Sequence, residues 1–466
     1  MKKRSIRLPH TLILIYLMVV AVALATWIVP GGEYDKVEKD GRTIPVAGSF
    51  HYTEGRPQGL SALFVSPILG FVQASNIIVF VLLMGGVFAI VQKTGAIDAG
   101  IGSLADRFQR SRALRVLFIP VTMTVFSLGG AVFGMCEEAM PFVLVFVPLS
   151  FSLGYDRLVG TAIPFVGAAA GFAGAFFNPF TVGIAQGIAG LPLYSGLGYR
   201  LVIWAIGTVI AIAFVMLYAA RIRKDPRRSP TYEDDLTFRQ TLAVDKKDRP
   251  AVTLAHKAVL VLFVAGMALL VIGILKFKWY INEIAGLFLA LGILAGLIGR
   301  LKSDDMARSF IEGAKDMVNT AFIIGIARAL LIVASDGRIM DTMLHAMAGT
   351  IARVHPILSA QFMFVGQCVV NFFVHSGTAQ AALTMPIMAP LGDLVGLTRQ
   401  TSVFAFQLAE YINPILPTSG VTMGVLGLAR LRWEKWAKWF LPLLIVWFVF
   451  GLISLIPAVL LRWGPL

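Results

Sequence analysis

The sequence predicts an all-α polytopic membrane protein made of two inverted repeats, with re-entrant hairpins and transmembrane helices that break inside the bilayer. Three observations carry this. First, of 466 residues 57% are hydrophobic and only 14% charged, whereas a soluble domain carries about a quarter charged residues. Second, apolar runs of about 20 residues, the length that crosses a bilayer, recur along the whole chain. Third, the pattern of the first half returns in the second at a constant offset of 242 residues.

The net charge of +14, from 40 Lys+Arg against 26 Asp+Glu, does not point to nucleic acid. The basic residues lie between apolar runs, as in cytoplasmic loops under the positive-inside rule. Cys136 and Cys368 sit in or beside apolar stretches, and no Cys/His spacing forms a metal site. They read as small buried residues.

The N-terminus is basic, then apolar from Leu12 to Val29. No small-x-small cleavage site follows, so this reads as a first transmembrane helix with a cytoplasmic N-terminus. Pro30 to Leu60 is polar, Gly-rich and close to neutral, which suits the outside. After a half-polar stretch, Ser61 to Ser75, a span covers Ile77 to Gln92. A short helix, Ala96 to Phe108, leads to Arg107, Arg110, Arg112 and Arg115 on the cytoplasmic side. A hairpin at 116–153 then turns at Gly134-Met135-Cys136-Glu137-Glu138. A helix over 158–191 is broken at Asn178-Pro179, and a further span runs from Leu201 to Ala219. These elements make a first repeat over 1–220. Residues 221–257, charged and Pro-containing, read as a cytoplasmic linker.

The second repeat, 258–466, has spans at Ala258–Leu275 and Tyr280–Ile298, followed by the cytoplasmic Arg300, Lys302 and Arg308. Then come Asn319–Ala334, a helix near Ile339–Ala352 and a hairpin over 357–391 that turns at Ser376-Gly377-Thr378. A helix over 401–429 is broken at Asn413-Pro414, and a last span ends near Leu460. Within this repeat Leu331 to Gly337 lies over Ala89 to Gly95, and Arg399 over Arg157. Asn413-Pro414 matches Asn178-Pro179 after a small gap. The basic excess precedes the first hairpin in one half and follows the second broken helix in the other, so the repeats insert in opposite directions. Inverted repeats with interrupted helices are the pattern of secondary transporters.

An Asn-Pro inside an apolar helix frees backbone carbonyls, tolerable in lipid only where protein or water fills the gap. The half-helix ends carry partial charges that can hold a carboxylate or a cation. Charged groups at depth are costly and functional, which singles out Glu137, Glu138 and Glu410 as partners for a cationic substrate group, sodium or a proton. His375 is either a substrate or proton contact or a packing residue. Arg328 is either an anion partner or one side of an inter-helix pair. The expected substrate-binding set is Glu137, Glu138, Asn178, Ser376, Gly377, Thr378, Glu410, Asn413, Thr418 and Ser419. Gly134, Asn178, Thr378 and Asn413 are candidate sodium contacts, with Na+ or H+ as coupling ion and no other cofactor. No zinc-protease, nucleophile-elbow, phosphate-loop or dinucleotide motif occurs, so an enzyme is not expected. A channel and an intramembrane hydrolase are the less supported alternatives.

The run Gly134-Met135-Cys136-Glu137-Glu138-Ala139-Met140-Pro141-Phe142, the two Asn-Pro breaks and the Trp27-Ile28-Val29-Pro30-Gly31-Gly32 end of the first helix resemble the YfcC family. This is a branch of the DcuC-like group in the ion transporter superfamily. The resemblance implies a dimeric elevator transporter in the bacterial cytoplasmic (inner) membrane, with a scaffold domain and a moving domain. Members are described as C4-dicarboxylate carriers or basic amino acid antiporters. Superfamily relatives often carry Ser-Asn-Thr at both hairpin tips. Here the tips are Cys136-Glu137-Glu138 and Ser376-Gly377-Thr378, and two acids beside a dianion repel it. The expected function is therefore secondary transport of an amino acid, a basic one favoured, by exchange. The runner-up is a sodium- or proton-coupled dicarboxylate carrier. A small-molecule substrate, membrane lipid and a second copy of the chain are the expected partners, and nucleic acid is not.

Overall fold

The computed structural model describes residues 11–39, 42–97, 99–100, 103, 111–236, 252–277, 279 and 281–464. The sequence expectations at the N-terminal basic cluster, most of Ala96–Phe108, Arg107 and Arg110, and linker residues 237–251 lie outside the described residues.

Of the described residues 78% are helical. Helix α1 (Thr11–Ala25) leads into two short antiparallel ribbons, which the reading of Pro30 to Leu60 as an outside loop in an all-α protein did not contain. Strand β1 (Gly32–Glu33) pairs with β4 (His51–Tyr52), and β2 (Lys36–Lys39) with β3 (Arg42–Pro45). The half-polar stretch that follows is helix α2 (Leu60–Gln73), joined to α3 (Ser75–Lys93) through Ala74. The first hairpin is α4 (Arg112–Phe133) and α5 (Met140–Ser152). The first interrupted helix is α6 (Arg157–Ala173), a π-turn (Pro179–Gly183) and α7 (Ile184–Ile188), followed by α8 (Leu197–Lys224). In the second half come α9 (Leu254–Phe277), α10 (Ile281–Ile298), α11 (Ser303–Asp316), α12 (Val318–Asp336) and α13 (Met340–Ile351). The second hairpin is α14 (Pro356–Phe373) and α15 (Gly377–Leu394). The second interrupted helix is α16 (Arg399–Leu408), a 3-10 segment (Ala409–Ile415) and α17 (Gly420–Leu428), and α18 (Trp433–Leu460) closes the fold. Among the described residues seven helices are long and apolar enough to cross a membrane.

The helices fall into two packing groups that ignore the boundary between the chain halves. In one, α12 packs on α1 and α2, while α3 packs on α10 and α11. In the other, α6 packs on α4, α5 and α8, and α16 packs on α14, α15 and α18. Helix α17 runs between them, against α12 and α3 on one side and α5 and α6 on the other. Close approach inside the second group depends on small residues. A Cβ at Gly171 of α6 would overlap the carbonyl oxygen of Ser127 in α4.

The two interrupted helices are braced end to start. Arg157, the first residue of α6, donates through Nη1 to the carbonyl of Arg430, just beyond the end of α17. Arg399, the first residue of α16, donates to the carbonyl of Ala189, just beyond the end of α7. Each guanidinium meets the negative end of the other helix, where a cation is favoured. The two interrupted helices therefore run antiparallel. The start of the linker adds to the brace at the Arg157 end: Arg157 Nε donates to Asp235 at 2.7 Å, Ser229 donates to Asp156 at 2.6 Å, and Lys435 donates to Asp234 at 2.8 Å.

Candidate functional site

The site forms where both hairpin turns meet both helix interruptions. At the first turn Gly134 has φ +76°, a left-handed conformation that glycine adopts without Cβ strain. A Cβ there would lie 2.7 Å from Asn178 Oδ1, so the turn rests directly on the first interruption. The Asn178 side chain accepts from the N–H groups of Phe180 at 2.9 Å and Thr181 at 3.2 Å, capping the half-helix that follows. Its Nδ2 is buried without a partner, as is Thr181 Oγ1.

At the second turn Ser376 caps α15 through the Ala379 N–H. Thr378 Oγ1 donates to the Phe180 carbonyl at 3.0 Å, tying this hairpin to the first interruption. A Cβ at Gly377 would overlap the Thr181 methyl group and lie 3.3 Å from Glu410 Oε1. Glycine here lets a carboxylate and a methyl group approach the same backbone.

The two Asn-Pro pairs, matched in sequence, sit differently. Asn178 caps the outgoing half of its helix, whereas Asn413 lies in the 3-10 segment of the incoming half, and the outgoing half restarts at Gly420 with Ser419 as its cap. Asn413 Nδ2 donates to Glu410 Oε2 at 3.3 Å and to the His375 carbonyl at 3.4 Å, and its carbonyl accepts from Thr422 at 2.8 Å. Thr418 Oγ1 donates to the Phe372 carbonyl at 2.9 Å and lies 2.6 Å from His375 Nε2. With the hydroxyl proton used on Phe372, the imidazole is the donor in that pair. His375 thus ties the second turn to the second interruption.

A small cavity lies among these parts, walled by Met135 and Cys136 of the first turn, Phe165 and Phe172 of α6, Glu410 and Asn413, and Val421 in the first turn of α17. Glu410 is 2% exposed, and its Oε1 has no hydrogen-bond partner. The structure separates the three acids that the sequence grouped. Glu138 folds back onto the Cys136 N–H at 2.9 Å, and the first turn reaches the cavity through Met135 and Cys136, while Glu137 and Glu138 are not part of its wall. Both cysteines are free thiols. Arg328 donates to Gln73 Oε1 at 3.2 Å, an inter-helix contact, and is not among the residues that wall the cavity. Phe165 and Phe172 escaped the sequence reading because aromatic residues on an apolar helix carry no local mark of a cavity.

A family model described as DcuC, C4-dicarboxylate anaerobic carrier, matches residues 8–460. The chain is 39% identical to "Putative basic amino acid antiporter YfcC" of Escherichia coli K12, over 94% of each chain. It is 28% identical to an uncharacterized protein of Haemophilus influenzae Rd, over 99% of this chain and 97% of that one. Among solved structures, the YdaH transporter of Alcanivorax borkumensis aligns with a TM-score of 0.43 at 16% identity, covering 98% of this chain and 100% of that one. MtrF of Neisseria gonorrhoeae, from a class of antimetabolite efflux pumps, aligns with a TM-score of 0.43 at 18% identity, covering 99% and 98%. With the match running nearly end to end, over helices long and apolar enough to span a membrane, the chain belongs to the DcuC family and is an integral membrane transporter.

Proposed function

We propose that this transporter carries amino acids, with basic ones favoured, by exchange across the bacterial inner membrane. The observation that carries the reading is the Glu410 carboxylate, buried on the cavity wall with one oxygen unpaired. A carboxylate in that setting favours an ammonium, guanidinium, sodium ion or proton over a second anion. The cavity also has a positive pole. Val421 belongs to the first turn of α17, where open backbone N–H groups attract an anion. An amino acid offers both charges. Its carboxylate faces Gly420 and Val421 and its cationic end faces Glu410, with the amides and hydroxyls of Asn178, Thr378, Asn413 and Thr418 around it. Ser376, Gly377 and Ser419 shape the approach.

Movement by inverted repeats in an elevator fits the same parts. The interrupted helices run antiparallel. Helix α5, at 13 residues, is only about 20 Å long against a hydrocarbon core of about 30 Å, which suits a re-entrant arm. The two packing groups meet along α17, one serving as scaffold and one as carrier, in a homodimer with cytoplasmic N-termini.

The printed description of the matching family favours a second reading, a C4-dicarboxylate held by the capped helix ends, with Glu410 binding a coupling sodium ion or proton. Counterflow in proteoliposomes separates the two. Labelled arginine or ornithine exchanging against the same amino acid inside, with Glu410→Gln slowing exchange at least tenfold, is the expected result. Counterflow of succinate alone overturns the amino acid reading, and gradient-independent conductance overturns a carrier altogether.

A further inference from the structure

Arg200 lies near the start of α8, at the end remote from the basic Arg221, Arg223 and Lys224. It is 1% exposed, and Nε, Nη1 and Nη2 all lack a hydrogen-bond partner. Among the described residues no ion pair includes it. The guanidinium is held between aromatic rings, 5.8 Å from the Phe404 centroid and 5.4 Å from that of Trp463. Ring faces attract a cation but accept none of its five N–H bonds in the plane. A buried cation whose in-plane donors are all open is costly unless an anion completes it.

A second feature converges on the same place. Helix α8 begins after Gly196, which has φ +72° and no side chain to cap the helix. Its first-turn N–H groups are therefore left open by helix geometry at the positive end of a 28-residue helix. The Trp463 ring that lies over Arg200 also lies against Gly196, and a helical side chain leans toward the start of its own helix. Arg200 is the fourth residue of α8, so the unpaired guanidinium belongs to the same first turn as these N–H groups.

From this convergence we infer an anion-binding site at the start of α8, formed by Arg200 and the first-turn backbone, that takes a small anion such as a halide or a carboxylate. The phosphate of a phospholipid headgroup offers the same chemistry from another source. The site is separate from the cavity at Glu410 and does not depend on what that cavity carries.

The test is the thermal midpoint of the full-length protein in a neutral detergent. Potassium bromide, acetate or phosphate is titrated against potassium HEPES at matched ionic strength, which cancels general screening. A saturable rise in wild type, with the apparent affinity weakened at least about tenfold in Arg200→Gln as expected for a lost charge-assisted contact, supports a free anion. A rise seen only in phosphatidylglycerol nanodiscs, and lost in Arg200→Gln, supports the headgroup. Arg200→Lys, which keeps the charge but not the planar fork, is expected to retain the anion response at reduced affinity. No anion response in wild type under any of these conditions overturns the proposal, as does a response unchanged in Arg200→Gln. If that variant does not fold, an unchanged affinity in Arg200→Lys overturns it.

Discussion

Single residues decide whether the two turns can reach the two interruptions. Gly134 is the clearest case, because its positive φ and the adjacent Asn178 Oδ1 exclude a side chain on separate grounds. Gly134→Ala is expected to destabilise the protein by about 1–2 kcal/mol from the left-handed conformation alone, with the displaced Asn178 cap adding to it. Thermal unfolding in detergent measures this, and an unchanged midpoint contradicts the described turn. The glycine was visible in the sequence, and so were Glu137, Glu138 and Glu410. Which acid reaches the cavity was not, because that depends on side-chain direction after the first turn folds. Glu138 bends back onto its own backbone, while Glu410 points inward from a 3-10 segment whose tighter winding shifts every following side chain.

At the scale of elements, the spans and both breaks were legible because a bilayer demands long apolar runs and marks their interruption. Elements outside that solvent were not. Helix α11 carries Asp304 and Asp305 in its first turn and Lys315 in its last, matching the helix dipole, but the sequence reading named no element there beyond the cytoplasmic Arg300, Lys302 and Arg308. It packs against α3. The ribbons before α2 were missed as well, being too short for an alternating pattern to stand out. They hold a titratable contact. Burial, aided by the Asp341 carboxylate, pushes the Tyr34 phenol from 10.0 up to about 12. The unfolded chain releases this proton near 10 and the folded chain only near 12, so folding stability falls as pH climbs through that interval. Tyr34→Phe is expected to flatten this part of the midpoint-against-pH curve, and an unaltered slope between pH 10 and 12 places the titration elsewhere.

For the whole molecule, the proposed elevator requires the two packing groups to slide past each other along α17. A Cβ at Gly420 would lie 3.6 Å from Ile77 Cγ2 in α3, close enough for a cysteine pair to bridge with small adjustment. In a background with Cys136 and Cys368 replaced by Ser, Ile77→Cys with Gly420→Cys is expected to stop counterflow on oxidation and regain it with reductant. Full transport by the cross-linked protein removes relative motion at this seam from the mechanism.

The sequence by itself determined the membrane class, the two hairpins, the two broken helices and the family, since each is written in local hydropathy, in Asn-Pro and Gly chemistry, or in contiguous motifs. Only the tertiary structure decided that the packing groups cut across the two halves of the chain, that Asn178 and Asn413 serve on opposite sides of their interruptions, and that Glu410 alone of the three acids borders the cavity. The physical reason is distance along the chain. The pairs that fix these outcomes, Thr378 with Phe180, Arg157 with Arg430 and Arg399 with Ala189, join residues some 200 or more positions apart, and no local pattern encodes which of them will meet.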